Sequence, residues 1–126
     1  MPDNKTNILV IDDEEEIREL LKEFLEENHF NVTLAADGIE AQECIEESVP
    51  DIAVIDLLLP GEHGISLVKT IKEKYFIPVI MISCIYRREE LKDLIEEYAV
   101  EGFLEKPLDL KILREKLTEI IDDRAV

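Results

Sequence analysis

The sequence predicts an α/β fold in which a doubly wound parallel sheet of five strands carries helices on both faces. Short apolar runs, rich in β-branched residues, alternate five times with stretches whose apolar residues recur at helical spacing. Such alternation is typical of parallel sheets with helical crossovers. The chain has 126 residues, of which 46% are hydrophobic and 36% charged, so we expect one globular domain with its own core.

The predicted strands are of two kinds. The first, third and fourth are continuously apolar, which indicates burial on both faces. The second alternates apolar and polar residues and the fifth is short and mixed, so we expect both at the edges of the sheet. Among the common doubly wound orders, 2-1-3-4-5 has these two strands at its edges, and this is the order of the flavodoxin-like three-layer sandwich. The five runs are Ile8–Ile11, Val32–Leu34, Ile52–Ile55, Val79–Ile82 and Gly102–Leu104.

An amphipathic segment follows each predicted strand, with apolar residues on one helical face. The second segment is the weakest of the five. The apolar positions in order are Ile17, Leu20, Leu21, Phe24 and Leu25; Ile39, Cys44 and Ile45; Ile65, Val68 and Ile71; Leu91, Leu94, Ile95 and Tyr98; and Leu110, Leu113, Leu117, Ile120 and Ile121. We expect residues 1–6 to form a disordered tail and residues 7–123 to form the domain, with no output domain in this chain.

The charge balance excludes several classes of partner. The chain has 14 Lys and Arg residues against 31 Asp and Glu, a formal net charge of −17. This argues against direct binding to nucleic acid or to anionic membranes, and it favours cations or basic partner surfaces. Cys44 and Cys84 form no disulfide framework, and neither a signal peptide nor a membrane-length apolar run is present. We therefore expect a cytoplasmic, reducing location.

Polar residues follow four of the predicted strands at their carboxyl ends. Asp12 and Asp13 follow the first strand, Asp56 the third, Ser83 the fourth and Lys106 the fifth. In an open parallel sheet, ligands bind beyond these ends, close to the point where the strand order reverses. That point lies between strands one and three, so we expect three carboxylates to converge there with a hydroxyl and an amine beside them.

The residue types at this edge suit phosphoryl chemistry with a divalent cation. Three close carboxylates resist full ionisation unless a cation is bound, and Mg²⁺ prefers carboxylate, water and phosphate oxygens. Asp56 can act as a nucleophile toward phosphorus. Lys106 can neutralise the oxygens of the transferring group, and Ser83 can hydrogen-bond one of them. Each residue alone could be a loop residue or a helix cap, so the prediction depends on their coincidence at four strand ends.

Several segments resemble the receiver domain of two-component response regulators, and the resemblance covers nearly the whole chain. The matching segments are Ile8–Glu14, Pro50–Leu57, Pro60–Gly64, Ile77–Ser83 and Gly102–Pro107. The resemblance implies a phosphorylatable signalling switch and not an enzyme with its own substrate. Its phosphoryl donor would be a sensor histidine kinase or a histidine phosphotransfer protein.

The resemblance also implies a role for each matching residue. Asp56 is then the phosphoacceptor and Lys106 the lysine that binds the phosphoryl group. Ser83 and Phe103 form the switch pair, in which the ring moves inward when the hydroxyl swings to the phosphate, although Phe103 could equally be a packed edge-strand aromatic. The implied Mg²⁺ ligands are Asp12, Asp13, Asp56 and the backbone carbonyl of Leu58. The Lys106–Pro107 bond is usually cis in this family.

Phosphorylation is expected to change the face formed by the fourth helix, the fifth strand and the fifth helix. This face would then control a downstream effector or output domain, and a phosphorylation-dependent homodimer is one further expectation. The sequence does not identify the kinase, the signal or the output partner.

Three other interpretations stay open. A phosphatase of the haloacid dehalogenase type also uses an aspartate nucleophile with Mg²⁺, but its second acid follows two residues later, where this chain has Leu58. A flavodoxin-like electron carrier would need a phosphate-binding loop rich in Ser, Thr or Gly after the first strand, which the sequence lacks. A receiver that only mediates contacts would not need the complete set of site residues.

Overall fold

The computed structural model describes residues 5–57, 64–83 and 88–124. Its strands are β1 (Asn7–Ile11), β2 (Asn31–Ala35), β3 (Ile52–Asp56), β4 (Val79–Ser83) and β5 (Gly102–Glu105). All pairings are parallel, and the order across the sheet is β2-β1-β3-β4-β5. This confirms the predicted fold class, the strand order and the edge positions of the second and fifth strands.

The helices are α1 (Glu15–Glu27), α2 (Gly38–Glu47), α3 (Gly64–Thr70), α4 (Arg88–Tyr98) and α5 (Leu110–Arg124). Asp37 caps the start of helix α2, because its carboxylate accepts a hydrogen bond from the Glu40 N–H at 2.8 Å. The start of this helix is therefore capped despite its weak apolar pattern. Helix α3 continues as a π-helical turn, Ile71–Tyr75, which the regular spacing of its apolar residues does not predict.

The core lies on both faces of the sheet because alternate residues of each central strand point to opposite sides. In β1, Leu9 and Ile11 pack with residues of α2 and α3, whereas Ile8 and Val10 pack with residues of α1 and α5. Each of these four side chains is 1% exposed. Continuous apolarity in this strand therefore reflects two separate cores, as the sequence predicts for a sheet covered on both faces.

The amino end of the sheet is held by polar contacts that cross between elements. Glu101, which precedes β5, accepts a hydrogen bond from the Val79 N–H at 2.9 Å. Its carboxylate also forms an ion pair with Lys72 of the π-helical turn, with an N–O distance of 2.7 Å. One carboxylate therefore connects the start of β4, the π-helical turn and the approach to β5.

No helix in the described ranges combines the length and apolar character needed to cross a membrane. The cytoplasmic location expected from the composition stays a prediction. The bounds of the predicted tail and domain, residues 1–6 and 7–123, stay predictions as well. Within the described chain, the Thr6 carbonyl accepts a hydrogen bond from the Asn31 N–H at 3.0 Å, so the chain is bonded to the sheet from this residue onward.

The first residue of α3 makes the tightest backbone contact with the carboxyl end of β3. A Cβ atom on Gly64 would lie 2.4 Å from the Leu57 Cα and 2.5 Å from the Asp56 carbonyl oxygen. The Gly64 N–H also donates to the Leu57 carbonyl at 3.1 Å. Any side chain at this position would therefore displace the backbone that carries Asp56.

Gly64→Ala should lower the free energy of unfolding by roughly 1–3 kcal/mol, the usual cost of overpacking against atoms that cannot move aside. Urea denaturation followed by far-UV circular dichroism measures this. Gly102→Ala is the matched control, because a Cβ there would lie 3.4 Å from a side-chain atom of Ile80, an ordinary contact. Equal free energies of unfolding for the two variants would show that the Gly64 contact is not a constraint.

Candidate functional site

Four of the predicted site residues lie at the carboxyl ends of the strands: Asp12, Asp56, Ser83 and Lys106. Asp56 is the last residue of β3, and Asp12 directly follows β1, so neighbouring parallel strands carry both carboxylates to one edge. Ser83 is the last residue of β4, which is the other neighbour of β3. Asp12, Asp56 and Ser83 are buried, with exposures of 1%, 3% and 2%. Polar side chains therefore lie at the carboxyl edge beside β1 and β3, where the strand order reverses, as the sequence predicts.

Three carboxylates form a cluster at this edge. Asp12, Asp13 and Asp56 each offer an oxygen, and these oxygens all lie within 4.8 Å of one another. Two members of the cluster are buried, whereas Asp13 is exposed. The cluster therefore opens to solvent on the Asp13 side, which leaves a route by which a hydrated cation could enter.

Lys106 supplies the positive charge at the centre of the site. It follows β5, and its Nζ lies 2.9 Å from Asp56 Oδ2, 3.5 Å from Asp12 Oδ2 and 3.4 Å from Glu14 Oε1. Burial by itself lowers the pKa of Lys106, but the hydrogen bond to Asp56 and the charges of Asp12 and Asp56 raise it above its ordinary value. The ammonium group is therefore charged throughout the physiological pH range.

Asp12 has one side-chain oxygen that accepts a hydrogen bond from a described residue and one that does not. Its Oδ1 accepts the Glu14 N–H at 2.9 Å, whereas its buried Oδ2 accepts no hydrogen bond from any described residue. Burial raises the pKa of Asp12, the Glu14 N–H lowers it and the charge of Asp56 raises it, and the net shift is upward. A buried carboxylate oxygen without a hydrogen bond, beside two other carboxylates, fits a hard divalent cation that takes oxygen ligands.

Ser83 and Lys106 are joined through the backbone. The Lys106 N–H donates to the Ser83 carbonyl at 2.9 Å, which continues the pairing of β4 with β5 to the edge of the sheet. The Lys106–Pro107 peptide bond is cis, as the family resemblance implies.

Phe103 lies in β5, paired with Met81 of β4, and its partly buried ring packs against the core on the α2 and α3 side. It is thus two positions before the end of β5 and not in the acidic cluster. The switch role implied for it stays a prediction. Leu58, the predicted carbonyl ligand, lies outside the described residues.

Two residues at the site are not identified by the sequence reasoning. Glu14 and Arg18 stand four positions apart at the start of α1, a spacing that predicts an ordinary ion pair on the helix surface. Instead, Glu14 reaches Lys106, and the Arg18 Nη1 donates to the Asp12 carbonyl at 2.7 Å. The sequence offers one signal for Arg18, its position two residues after the acidic run that ends at Glu16. It offers none for Glu14, because the contact with Lys106 spans 92 residues of chain.

The chain is similar to known response regulators over most of its length. A family model described as the response regulator receiver domain matches residues 8–118. The response regulator RR06 of Streptococcus pneumoniae is 35% identical over 115 residues, which cover 91% of this chain and 52% of that protein. The transcriptional regulatory protein CseB of Streptomyces coelicolor is 32% identical over 120 residues, covering 94% of this chain and 50% of that protein.

A solved structure of a two-component response regulator from Clostridium difficile superimposes with a TM-score of 0.88 at 28% identity, covering 94% of this chain and 97% of that one. The chain spans about half the length of the two curated relatives above, so their similarity concerns one of their parts. With a family match over most of the chain, a sheet in the predicted order and the acidic cluster at its carboxyl edge, this chain belongs to the response regulator receiver domain family.

Proposed function

We propose that this receiver domain is phosphorylated on Asp56 and acts as a switch in a two-component phosphorelay. The observation that carries the proposal is the contact between Lys106 Nζ and Asp56 Oδ2 at 2.9 Å, inside a cluster of three carboxylates. A buried carboxylate held by a lysine has both a nucleophilic oxygen and a cation beside it that can receive the charge of a phosphoryl group.

The transfer step follows from these positions. A carboxylate oxygen of Asp56 attacks the phosphorus of a phosphohistidine on the donor protein, and a P–O bond forms while the P–N bond breaks. The imidazole leaves with the electron pair of that bond. Lys106 is charged and already adjacent to Asp56, so it can hold a phosphoryl oxygen without a large rearrangement. Ser83, at the end of the neighbouring strand, is proposed to hydrogen-bond a second oxygen.

We propose Asp12, Asp13 and Asp56 as side-chain ligands for Mg²⁺, with the Leu58 carbonyl as a further ligand. When bound, Mg²⁺ would neutralise charge on the phosphoryl oxygens. The proposal is supported by the buried Asp12 Oδ2, which accepts no hydrogen bond from a described residue, and by the spacing of the three carboxylates. A cation held by Asp12 and Asp13 would also lower the repulsion between Asp56 and the incoming phosphoryl group.

The proposed output is a change in the face formed by α4, β5 and α5. Phe103 belongs to β5 and Lys106 directly follows it. Ser83 is joined to Lys106 by a backbone hydrogen bond, so phosphorylation of Asp56 could act on this strand through both residues. The proposed partners are a sensor histidine kinase or histidine phosphotransfer protein as donor and an effector or output domain as receiver of the signal. A phosphorylation-dependent homodimer on the same face is a second form this output could take.

Acetyl phosphate with Mg²⁺ should add one phosphoryl group to the wild-type chain, detected by intact-protein mass spectrometry. Asp56→Asn should abolish the gain, because the amide is not a nucleophile toward phosphorus. Asp122→Asn is the matched control, since Asp122 is an exposed carboxylate at the far end of α5.

An adduct on Asp56→Asn equal to that on the wild type would place the phosphoryl group elsewhere and contradict the proposal. Rapid consumption of acetyl phosphate with little adduct would instead favour the phosphatase interpretation. A yellow protein that carries flavin and gains no phosphoryl group would favour the electron carrier.

Asp12→Asn should stabilise the chain in the absence of Mg²⁺ and destabilise it relative to the wild type when Mg²⁺ is present. Burial raises the pKa of Asp12 in the folded state above its ordinary value of 3.8. The group therefore stabilises the fold at pH values below 3.8, and this stabilisation is lost as the pH rises through the folded-state pKa. At pH 7 in EDTA, Asp12→Asn should therefore have a higher urea midpoint than the wild type. With Mg²⁺ at 100 times its Kd, the wild type should gain about 2.7 kcal/mol, and the variant should gain much less.

The same urea series on Asp122→Asn sets the background, and we expect a change of less than about 0.5 kcal/mol under both conditions. An Asp12→Asn variant that is less stable than the wild type in EDTA would argue that the ionised Asp12 is fully compensated by its neighbours. An unchanged gain from Mg²⁺ in this variant would remove Asp12 from the proposed cation site.

A further inference from the structure

Arg18 makes an unusual contact for a residue in the first turns of an exposed helix. Its Nη1 donates to the Asp12 backbone carbonyl at 2.7 Å, a short, charge-assisted hydrogen bond that spans six residues. The side chain is half-buried, and it therefore lies along the segment that connects β1 to α1 and not in solvent.

Two hydrogen bonds tie the segment from Asp12 to Glu14 to this arginine, and a third lies within the segment. The side chain of Arg18 holds the Asp12 carbonyl, and the Arg18 backbone N–H donates to the Glu14 carbonyl at 3.0 Å. The Glu14 N–H in turn donates to Asp12 Oδ1 at 2.9 Å. Arg18 is the only donor in this set that uses both its backbone and its side chain.

These bonds decide which oxygen of Asp12 faces the acidic cluster. Because Oδ1 is occupied by the Glu14 N–H, Oδ2 is the oxygen directed toward Lys106, which itself contacts Asp56. The Asp12 backbone is also fixed on its other side, where its N–H donates to the Ala35 carbonyl at 3.1 Å. Loss of Arg18 would remove the hydrogen bond to the Asp12 carbonyl and leave the one from the Asp12 N–H in place. The Asp12 carboxylate could then rotate.

We propose that Arg18 is a positioning residue for the cation site, and this inference rests on the proposed binding of Mg²⁺ by Asp12 and Asp13. Arg18 holds the β1–α1 segment so that Asp12 Oδ2 faces the cluster, without itself touching the cation or the phosphoryl group. A role of this kind is comparable to that of the outer hydrogen bonds around metal ligands, whose loss weakens binding about 10–100-fold.

The charge of Arg18 and its hydrogen bond to Asp12 should change the affinity for Mg²⁺ in opposite directions. Arg18 is a positive charge close to a cation site, so its removal should strengthen Mg²⁺ binding if charge alone mattered. Its removal should weaken binding if its hydrogen bond to Asp12 matters more. One variant therefore separates the two effects by the direction of the change.

The test is calorimetric titration of the full chain with MgCl₂, for the wild type, Arg18→Gln, Arg18→Lys and Lys22→Gln. We expect Arg18→Gln to raise the Kd for Mg²⁺ at least tenfold. Arg18→Lys keeps the charge and a donor on a flexible stem, so its Kd should lie between those of Arg18→Gln and the wild type. Lys22→Gln removes the same charge from an exposed position one turn further along α1, and its Kd should be unchanged or slightly lower.

Urea denaturation of the same four proteins in EDTA separates positioning from a general structural role. A lower free energy of unfolding in Arg18→Gln with an unchanged Kd would overturn the inference, and so would tighter binding. If Arg18→Gln does not fold, Arg18→Lys decides alone, and a Kd equal to that of the wild type would overturn the inference. A wild-type chain that does not bind Mg²⁺ would instead overturn the proposed cation site on which the inference rests.

Discussion

The ion pair between Lys106 and Asp56 is the interaction on which the carboxyl edge of the sheet depends. It joins the end of β5 to the end of β3 across the intervening strand β4, with an N–O distance of 2.9 Å. Removing this lysine would leave buried Asp56 and Asp12 side by side without its positive charge, and breaking a buried ion pair costs several kcal/mol. Lys106 also contacts the exposed side chain of Glu14, with an N–O distance of 3.4 Å.

The two ends of the sheet are built differently. At the amino end, Glu101 satisfies one backbone N–H and one lysine, so opposite charges are matched there. At the carboxyl end, carboxylates outnumber the cations that contact them, and one buried oxygen accepts no hydrogen bond from the described residues. Among the described residues, the buried oxygen without a hydrogen bond therefore lies at the edge where the strand order reverses.

Much of the fold was predictable because the central strands carry a redundant signal. Every residue of Ile8–Ile11 faces one of two cores, so the run is apolar throughout and can hardly be mistaken for an exposed strand. The site residues were predictable for a different reason, since parallel strands bring their carboxyl ends to one edge without any knowledge of loops. Asp12, Asp56, Ser83 and Lys106 follow from topology alone once the strand ends are recognised.

The remaining features depend on contacts that local patterns do not encode. Arg18 has the spacing of a surface ion pair with Glu14, yet each has a different partner. Arg18 bonds to the Asp12 carbonyl at the end of β1, and Glu14 contacts Lys106 at the end of β5. The π-helical turn after α3 is likewise invisible in the spacing of Ile65, Val68 and Ile71, which fits a regular helix equally well. Such features arise from competition between tertiary partners, and a single sequence does not rank those partners.

The charge balance of the carboxyl edge has a consequence for the state in which the protein rests. Four carboxylates, Asp12, Asp13, Glu14 and Asp56, stand against two cationic side chains, Lys106 and Arg18. When all are ionised, their sum is the charge that one divalent ion cancels. An edge loaded with such an ion would be neutral before phosphotransfer, and converting the Asp56 carboxylate into a doubly charged acyl phosphate would make it an anion. The modified protein would then differ from the unmodified one by a new net charge at a single edge, in a molecule whose other acidic groups lie mostly on solvated helices.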